Sequence, residues 1–110
     1  MRRAVILYKG EEAAILTQHD DGAFTFRYND AWIADRNKPV ISLTLPVSQQ
    51  EYHSQYLFPF FYNMLPEGSN KQLVCKLMRI DPDDSFGLLL TTAHNDTIGA
   101  VRVLKIEQEL

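Results

Sequence analysis

Cysteine occurs once, at position 75, so no intrachain disulfide can form and a zinc–thiolate cluster lacks ligands. Glycine and proline number five each, too few for a low-complexity chain. The glycines stand at 10, 22, 68, 87 and 99, too widely spaced for a phosphate-cradling loop. No run of about 18 apolar residues is present, which excludes a hydrophobic transmembrane helix. An excess of basic residues is also missing. Eleven Lys and Arg face fourteen Asp and Glu, for a net charge of -3, so the broad basic footprint of an autonomous nucleic-acid binder is absent. Met1 to Tyr8 starts like a signal peptide, but its apolar run is short. Lys9-Gly10-Glu11-Glu12 then follows in place of a small-residue cleavage site. These features fit a reducing cytoplasm and argue against a membrane association.

What is present is core material. The chain has 110 residues, of which 45% are hydrophobic and 11% aromatic. Residues 1–110 are expected to form one small domain that buries roughly two-thirds of its unfolded surface. A 23% share of charged residues is ordinary and argues against disorder. The length excludes two-lobed and doubly wound catalytic folds.

The first half reads as β. Arg3 to Lys9 and Ala13 to Gln18 are strand candidates around a turn at Gly10. Asp20-Asp21-Gly22 marks a second turn, and Phe24, Phe26 and Tyr28 then alternate with Thr25 and Arg27, the period of a half-buried strand. Asn29 to Ile33 reads as loop, and Val40 to Leu45 as a fourth strand between prolines. The second half reads as helical. Ser48 to Tyr56 is expected as a short helix or turn, and Leu57 to Met64 as a turn or two entered through Pro59. Ser69 and Gln72 have capping-box spacing, ahead of a stripe of Leu73, Val74, Leu77 and Met78. Asp81-Pro82 signals another helix start, and Ile98 to Ile106 a final strand. The class is α+β, a small antiparallel β-sheet with helices packed on one side.

Catalytic constellations are scarce. His19, His53 and His94 form no metal-ligand spacing, and His19-Asp20-Asp21 reads as a solvated turn. Cys75 lies beside an apolar stripe and reads as a buried thiol. An enzyme would need His53 or His94 brought near Ser54, Ser69 or Cys75. No catalytic residue, metal or cofactor is expected. The densest signal is aromatic, at Phe58-Pro59-Phe60-Phe61-Tyr62. At about 100° per residue, one helical turn cannot aim all of these inward, so core packing and a partner surface both stand as readings. Trp32 divides in the same way between a core residue and an interface anchor. Arg2, Arg3, Arg27, Arg36, Lys38 and Arg102 could share one face of the sheet, as a solvated face or a local basic patch.

The order of these segments resembles the first N-terminal subdomain of the HipA family of toxin kinases. The carrying residues are Gly22-Ala23-Phe24-Thr25-Phe26-Arg27-Tyr28 with Trp32, the proline-bounded Pro39-Val40-Ile41-Ser42-Leu43-Thr44-Leu45-Pro46, and above all Pro59-Phe60-Phe61-Tyr62-Asn63-Met64-Leu65-Pro66-Glu67-Gly68. Asp84-x-Phe86-x-Leu88-Leu89 and Asn95-Asp96-Thr97-Ile98-Gly99-Ala100-Val101 complete the order, with Asn95 where the family has Gly. The kinase's Gly-rich ATP loop and its catalytic and metal-binding Asp segments have no counterpart in these residues. A free-standing copy resembles HipS, the small component of tripartite HipBST toxin–antitoxin systems. That likeness implies a natural, non-enzymatic cytoplasmic chain that binds and neutralises a HipT-type Ser/Thr kinase. A HipB-type helix-turn-helix protein would complete a larger complex and supply most of any contact with DNA. The alternative role is a non-inhibitory assembly subunit that completes the kinase fold and the kinase–HipB–DNA complex. The expected partner-facing residues are Trp32, Phe60, Phe61, Asn63, Glu67 and Asp96. Asn63, Glu67 and Gly68 have a second reading, as residues that hold the Pro66 turn.

Overall fold

In the computed structural model, which describes residues 1–93 and 100–106, the elements run in chain order from strand to helix and back to strand. They are β1 (Arg2–Tyr8), β2 (Glu11–Gln18), β3 (Phe24–Tyr28), α1 (Asp30–Ala34), β4 (Glu51–Ser54), α2 (Pro59–Tyr62), α3 (Gly68–Met78), α4 (Ser85–Thr92) and β5 (Val101–Ile106). The strands form one antiparallel sheet in the order β4-β3-β2-β1-β5. Register makes one face apolar. Val103, Ile6, Ala14 and Tyr28 lie in one cross-strand row, and Ala4, Leu16, Phe26 and Tyr52 in the next. Ile6, Leu16, Phe26, Tyr28 and Val103 on this face have no exposed surface.

The helices sit on that face. Phe86 of α4 meets Phe24 edge-on at 5.9 Å, Phe61 of α2 lies 5.8 Å from Phe26, and Trp32 of α1 meets Tyr8 at 5.9 Å. One buried cluster therefore joins sheet and helices. The other face of the sheet, with Val5, Ile15, Thr17 and Leu104, is packed against none of the described helices. The expected class of antiparallel sheet with helices on one side is the observed one.

Four local expectations differ from the structure. Val40 to Leu45 is an irregular loop, not a strand. The Ser42 side chain takes the Thr44 N–H at 3.2 Å, and Leu45 N–H turns back to Ser42 O at 3.0 Å, so local bonds replace a ladder. The Tyr28 hydroxyl holds this loop from inside, donating to Leu45 O and accepting Ile41 N–H. The Ser48 to Tyr56 segment contains β4, because Glu51 to Ser54 completes the edge of β3 and brings Tyr52 beside Phe26. Helix α4 starts at Ser85, not behind Asp81. Asp81 closes its own turn by accepting Asp83 N–H at 2.9 Å, and Asp84 caps the helix by accepting Gly87 N–H at 3.0 Å. Asn29 to Ile33, read as loop, contributes the short helix α1.

Asp84 also fixes how α4 meets the sheet. Its carboxylate receives two bonds from the Arg2 guanidinium, at 3.0 and 2.6 Å. Arg2 bonds Gln18 at 3.0 Å and stacks over Phe86 at 5.2 Å. Gly87 leaves the room this clamp needs, since a Cβ there would lie 2.3 Å from Asp84 Oδ2.

Candidate partner-binding surface

The aromatic segment divides as helical geometry requires. Pro59 opens α2 at a position where its missing N–H costs nothing. Phe58 and Phe61 then point into the core, Phe60 is half-buried against Phe61 at 5.2 Å, and Tyr62 is 53% exposed. The chain leaves α2 through successive turns, with Asn63 N–H donating to Pro59 O at 2.9 Å and Met64 N–H to Phe61 O at 3.0 Å. Leu65 tucks back into the core. Gly68 takes φ +57°, a left-handed conformation that admits glycine without strain, and starts α3.

Helix α3 differs from its sequence expectation. Ser69 is not its cap, because Glu67 occupies that position with no side-chain bond, and Ser69 lies inside the first turn. The apolar stripe does not face the core. Cys75 is buried and Val74 half-buried, while Leu73, Leu77 and Met78 are 54%, 70% and 57% exposed. Leu73 and Leu77 are four residues apart, so they share one side of the helix. The helix ends with Arg79 in the left-handed conformation (φ +56°) and Ile80 N–H on Cys75 O at 2.9 Å. An eleven-residue helix that buries one side chain and exposes three large apolar ones has the composition of a binding surface.

The six residues expected at an interface are distributed unevenly. Asn63 and Glu67 are exposed at the corner between α2 and α3, and Phe60 is partly exposed beside them. Phe61 has no exposed surface. Trp32 is 4% exposed, and its Nε1–H donates to Pro39 O at 2.9 Å. Both rings are core residues in this chain, because each fills the space between a helix and the sheet face. Asp96 lies outside the described residues, as does His94. Tyr62, Leu73, Leu77 and Met78 were not anticipated as surface residues. An apolar stripe shows that a helix has two sides but not which side its own sheet covers.

Among the described residues, the candidate nucleophile–base pairs that involve His53 do not assemble. The Cys75 thiol is buried, and His53 bonds neither Ser54 nor Ser69. His53 Nδ1 instead shares a 3.0 Å hydrogen bond with the Thr25 hydroxyl, which also bonds His19 Nε2 at 2.7 Å, and His53 Nε2 faces Glu51 at 3.1 Å. Thr25 is 8% exposed, so this row braces β4 against β3. No group of three metal-ligating side chains occurs among the described residues. The basic residues do not form one patch. Arg3, Arg27 and Arg102 lie on the helix-free face, Arg2 is clamped to Asp84 on the other, and Lys38 bonds Glu11. No described helix is long and apolar enough to cross a membrane.

The family model for the HipA N-terminal domain matches residues 4–104 of the chain. The chain belongs to that family. Among solved structures it is similar to one titled "N-terminal domain of HipA toxin", with a TM-score of 0.73 and 30% identity, covering 99% of this chain and 96% of that one. An "Uncharacterized protein" of Haemophilus influenzae is 36% identical over 104 residues, 94% of this chain and 92% of the relative. Two Sinorhizobium fredii proteins, "Putative kinase Y4mE" and "Putative kinase Y4dM", are 29% and 33% identical over 94% and 86% of this chain. The match spans only 24% of the length of each.

Proposed function

We propose that this chain is a HipS-like antitoxin, a non-enzymatic protein that binds a HipT-type Ser/Thr kinase and neutralises it within a HipBST system. The observation that carries the proposal is the exposed apolar side of α3, in a domain whose family relatives include two proteins named as kinases. Leu73, Leu77 and Met78 would supply the apolar centre of the contact. Tyr62, Phe60, Asn63 and Glu67 would meet the kinase at the α2–α3 corner, with Phe61 and Trp32 supporting from within. A standard interface covers about 800 Å² per partner, more than three side chains provide, so both segments are needed. Binding there would inhibit by restraining a lobe or loop whose movement phosphoryl transfer requires. A HipB-type protein would join the complex and carry most of its DNA contact.

A second reading draws on the 24% coverage of the kinase-named relatives. There a domain like this one is part of a longer chain, so in trans it would complete the kinase fold without blocking it. Co-expression separates the two. The antitoxin reading expects this chain alone to relieve growth arrest by a HipT-type kinase. If it co-purifies with the kinase, arrest persists, and a HipB-type protein alone relieves the arrest, the assembly role replaces it.

A further inference from the structure

Two adjoining hollows lie where the β2–β3 turn, the end of β4, α2 and the start of α4 meet. They measure about 310 and 240 Å³ and share Gln55 and Tyr56. Both are at or below the lower end of the roughly 300–1,000 Å³ typical of small-molecule sites, so their size suits a protruding side chain better than a cofactor. Their walls have a consistent chemistry. Tyr56 and Tyr62 are 77% and 53% exposed. Asp21 lines one hollow and Asp83 the other, with Ser85 beside Asp83. Among the described residues, no Lys, Arg or His lines either hollow. The exposed Asp21 accepts one hydrogen bond among the described residues, from Ala23 N–H to Oδ1 at 3.0 Å. The Asp83 carboxylate accepts no hydrogen bond among the described residues; only its backbone N–H is engaged, by Asp81.

A third hollow, of about 340 Å³, sharpens the contrast. Its carboxylates, Asp81 and Asp84, face Arg2, Arg79 and Lys105 in the same wall, so its charge is answered within the chain. In the tyrosine-lined pair the described walls hold carboxylates and no cation. We infer that this groove is a docking site for an arginine side chain carried on an extended segment of a partner protein. A guanidinium stacks flat on a phenol ring while its fork of N–H groups reaches a carboxylate. An ammonium offers no plane to stack. The inference stands apart from the kinase proposal, since the two share only Tyr62 and any partner with such a segment satisfies it.

The test is titration of the ¹⁵N-labelled protein with three capped peptides of equal length, Arg-Gly, Lys-Gly and Glu-Gly repeats, followed by amide shifts. The Arg-Gly peptide is expected to move the amides of Gly22, Ala23, Gln55, Tyr56 and Ser85, and to release as ionic strength rises. Tyr56→Ala should weaken its binding about two- to fivefold, the range of an exposed cation–ring contact. Asp21→Asn with Asp83→Asn should remove the salt dependence. All three positions are exposed, so folding is expected to survive, and unchanged amide shifts elsewhere in each variant establish that. Shifts confined to other acidic surfaces, equal binding of the Lys-Gly or Glu-Gly peptide, or variants that bind as wild type each overturn the inference.

Discussion

The β3 strand and helix α3 hold comparable apolar side chains and use them in opposite ways. Phe24, Phe26 and Tyr28 are buried because register commits all three to one sheet face, and α2, α4 and the 40–45 loop close over them. Leu73, Leu77 and Met78 share a helix with one buried residue, Cys75, and remain largely exposed. Hydrophobicity alone therefore does not separate core from surface here. What separates them is whether another element of the chain covers the side that carries it.

The largest expected effect lies at the closed end of this comparison. Phe61→Ala removes a wholly buried ring that packs on Phe26 and Phe60 and should cost about 3–5 kcal/mol in urea denaturation. A loss below 1 kcal/mol would show that α2 is as loosely held as the outer side of α3.

Next comes the clamp that seats α4 on the sheet. Asp84→Ala should cost about 1–2 kcal/mol, chiefly as a lost helix cap, because Arg2 and Asp84 are 39% and 33% exposed and such pairs contribute little. Gly87→Ala displaces the same carboxylate, so the double variant should lose less than the sum of the two. The clamp also has a pH signature. Arg2 holds the Asp84 carboxyl below the usual carboxylate range, against the opposing effect of burial. A carboxyl depressed on folding stabilises above its unfolded value, about 3.9, and that contribution disappears as pH falls through the folded value. Asp84→Asn should flatten this acid limb of the stability curve.

A smaller effect is expected at the corner. Gly68→Ala meets no neighbouring atom within 4 Å, so its cost is backbone strain at φ +57° alone, about 1 kcal/mol. A neutral result would mean that the corner relaxes freely and that α3 is not fixed relative to α2.

Where sequence and structure agree, the signal was periodic and its covering element lay nearby. The alternation through Phe24, Phe26 and Tyr28 placed β3 correctly, and Pro59 located the start of α2. Failures occurred where short polar side chains offered two outcomes. Ser42 turned an alternating segment into a loop, and Asp81 and Asp84 both had the chemistry of a cap, of which only Asp84 starts the helix. Of the residues expected at an interface, Asn63 and Glu67 are exposed, as their position beside the Pro66 turn suggests. Trp32 and Phe61 take the core side of their two readings in this chain, a choice that aromatic density alone cannot reveal. The side chosen by α3 was invisible, since Leu73-Val74-Cys75 presents apolar residues on adjacent sides.

The smallest stability effect carries the largest functional weight. Leu73→Gln with Leu77→Gln changes two exposed side chains on a helical surface, where substitutions usually stay within about 0.5 kcal/mol each. Gln also keeps most of Leu's helix propensity, so α3 itself should persist. Under the kinase-binding proposal the same pair loses the apolar centre of the interface, and co-purification with a HipT-type kinase should weaken at least about tenfold. The two measurements separate the alternatives. A stability loss of several kcal/mol would place these leucines in a packed arrangement and remove the distinction between α3 and β3. Full stability with undiminished kinase binding would leave α3 exposed but assign docking to another surface. Only full stability with lost binding fits a helix whose apolar side is reserved for a second chain.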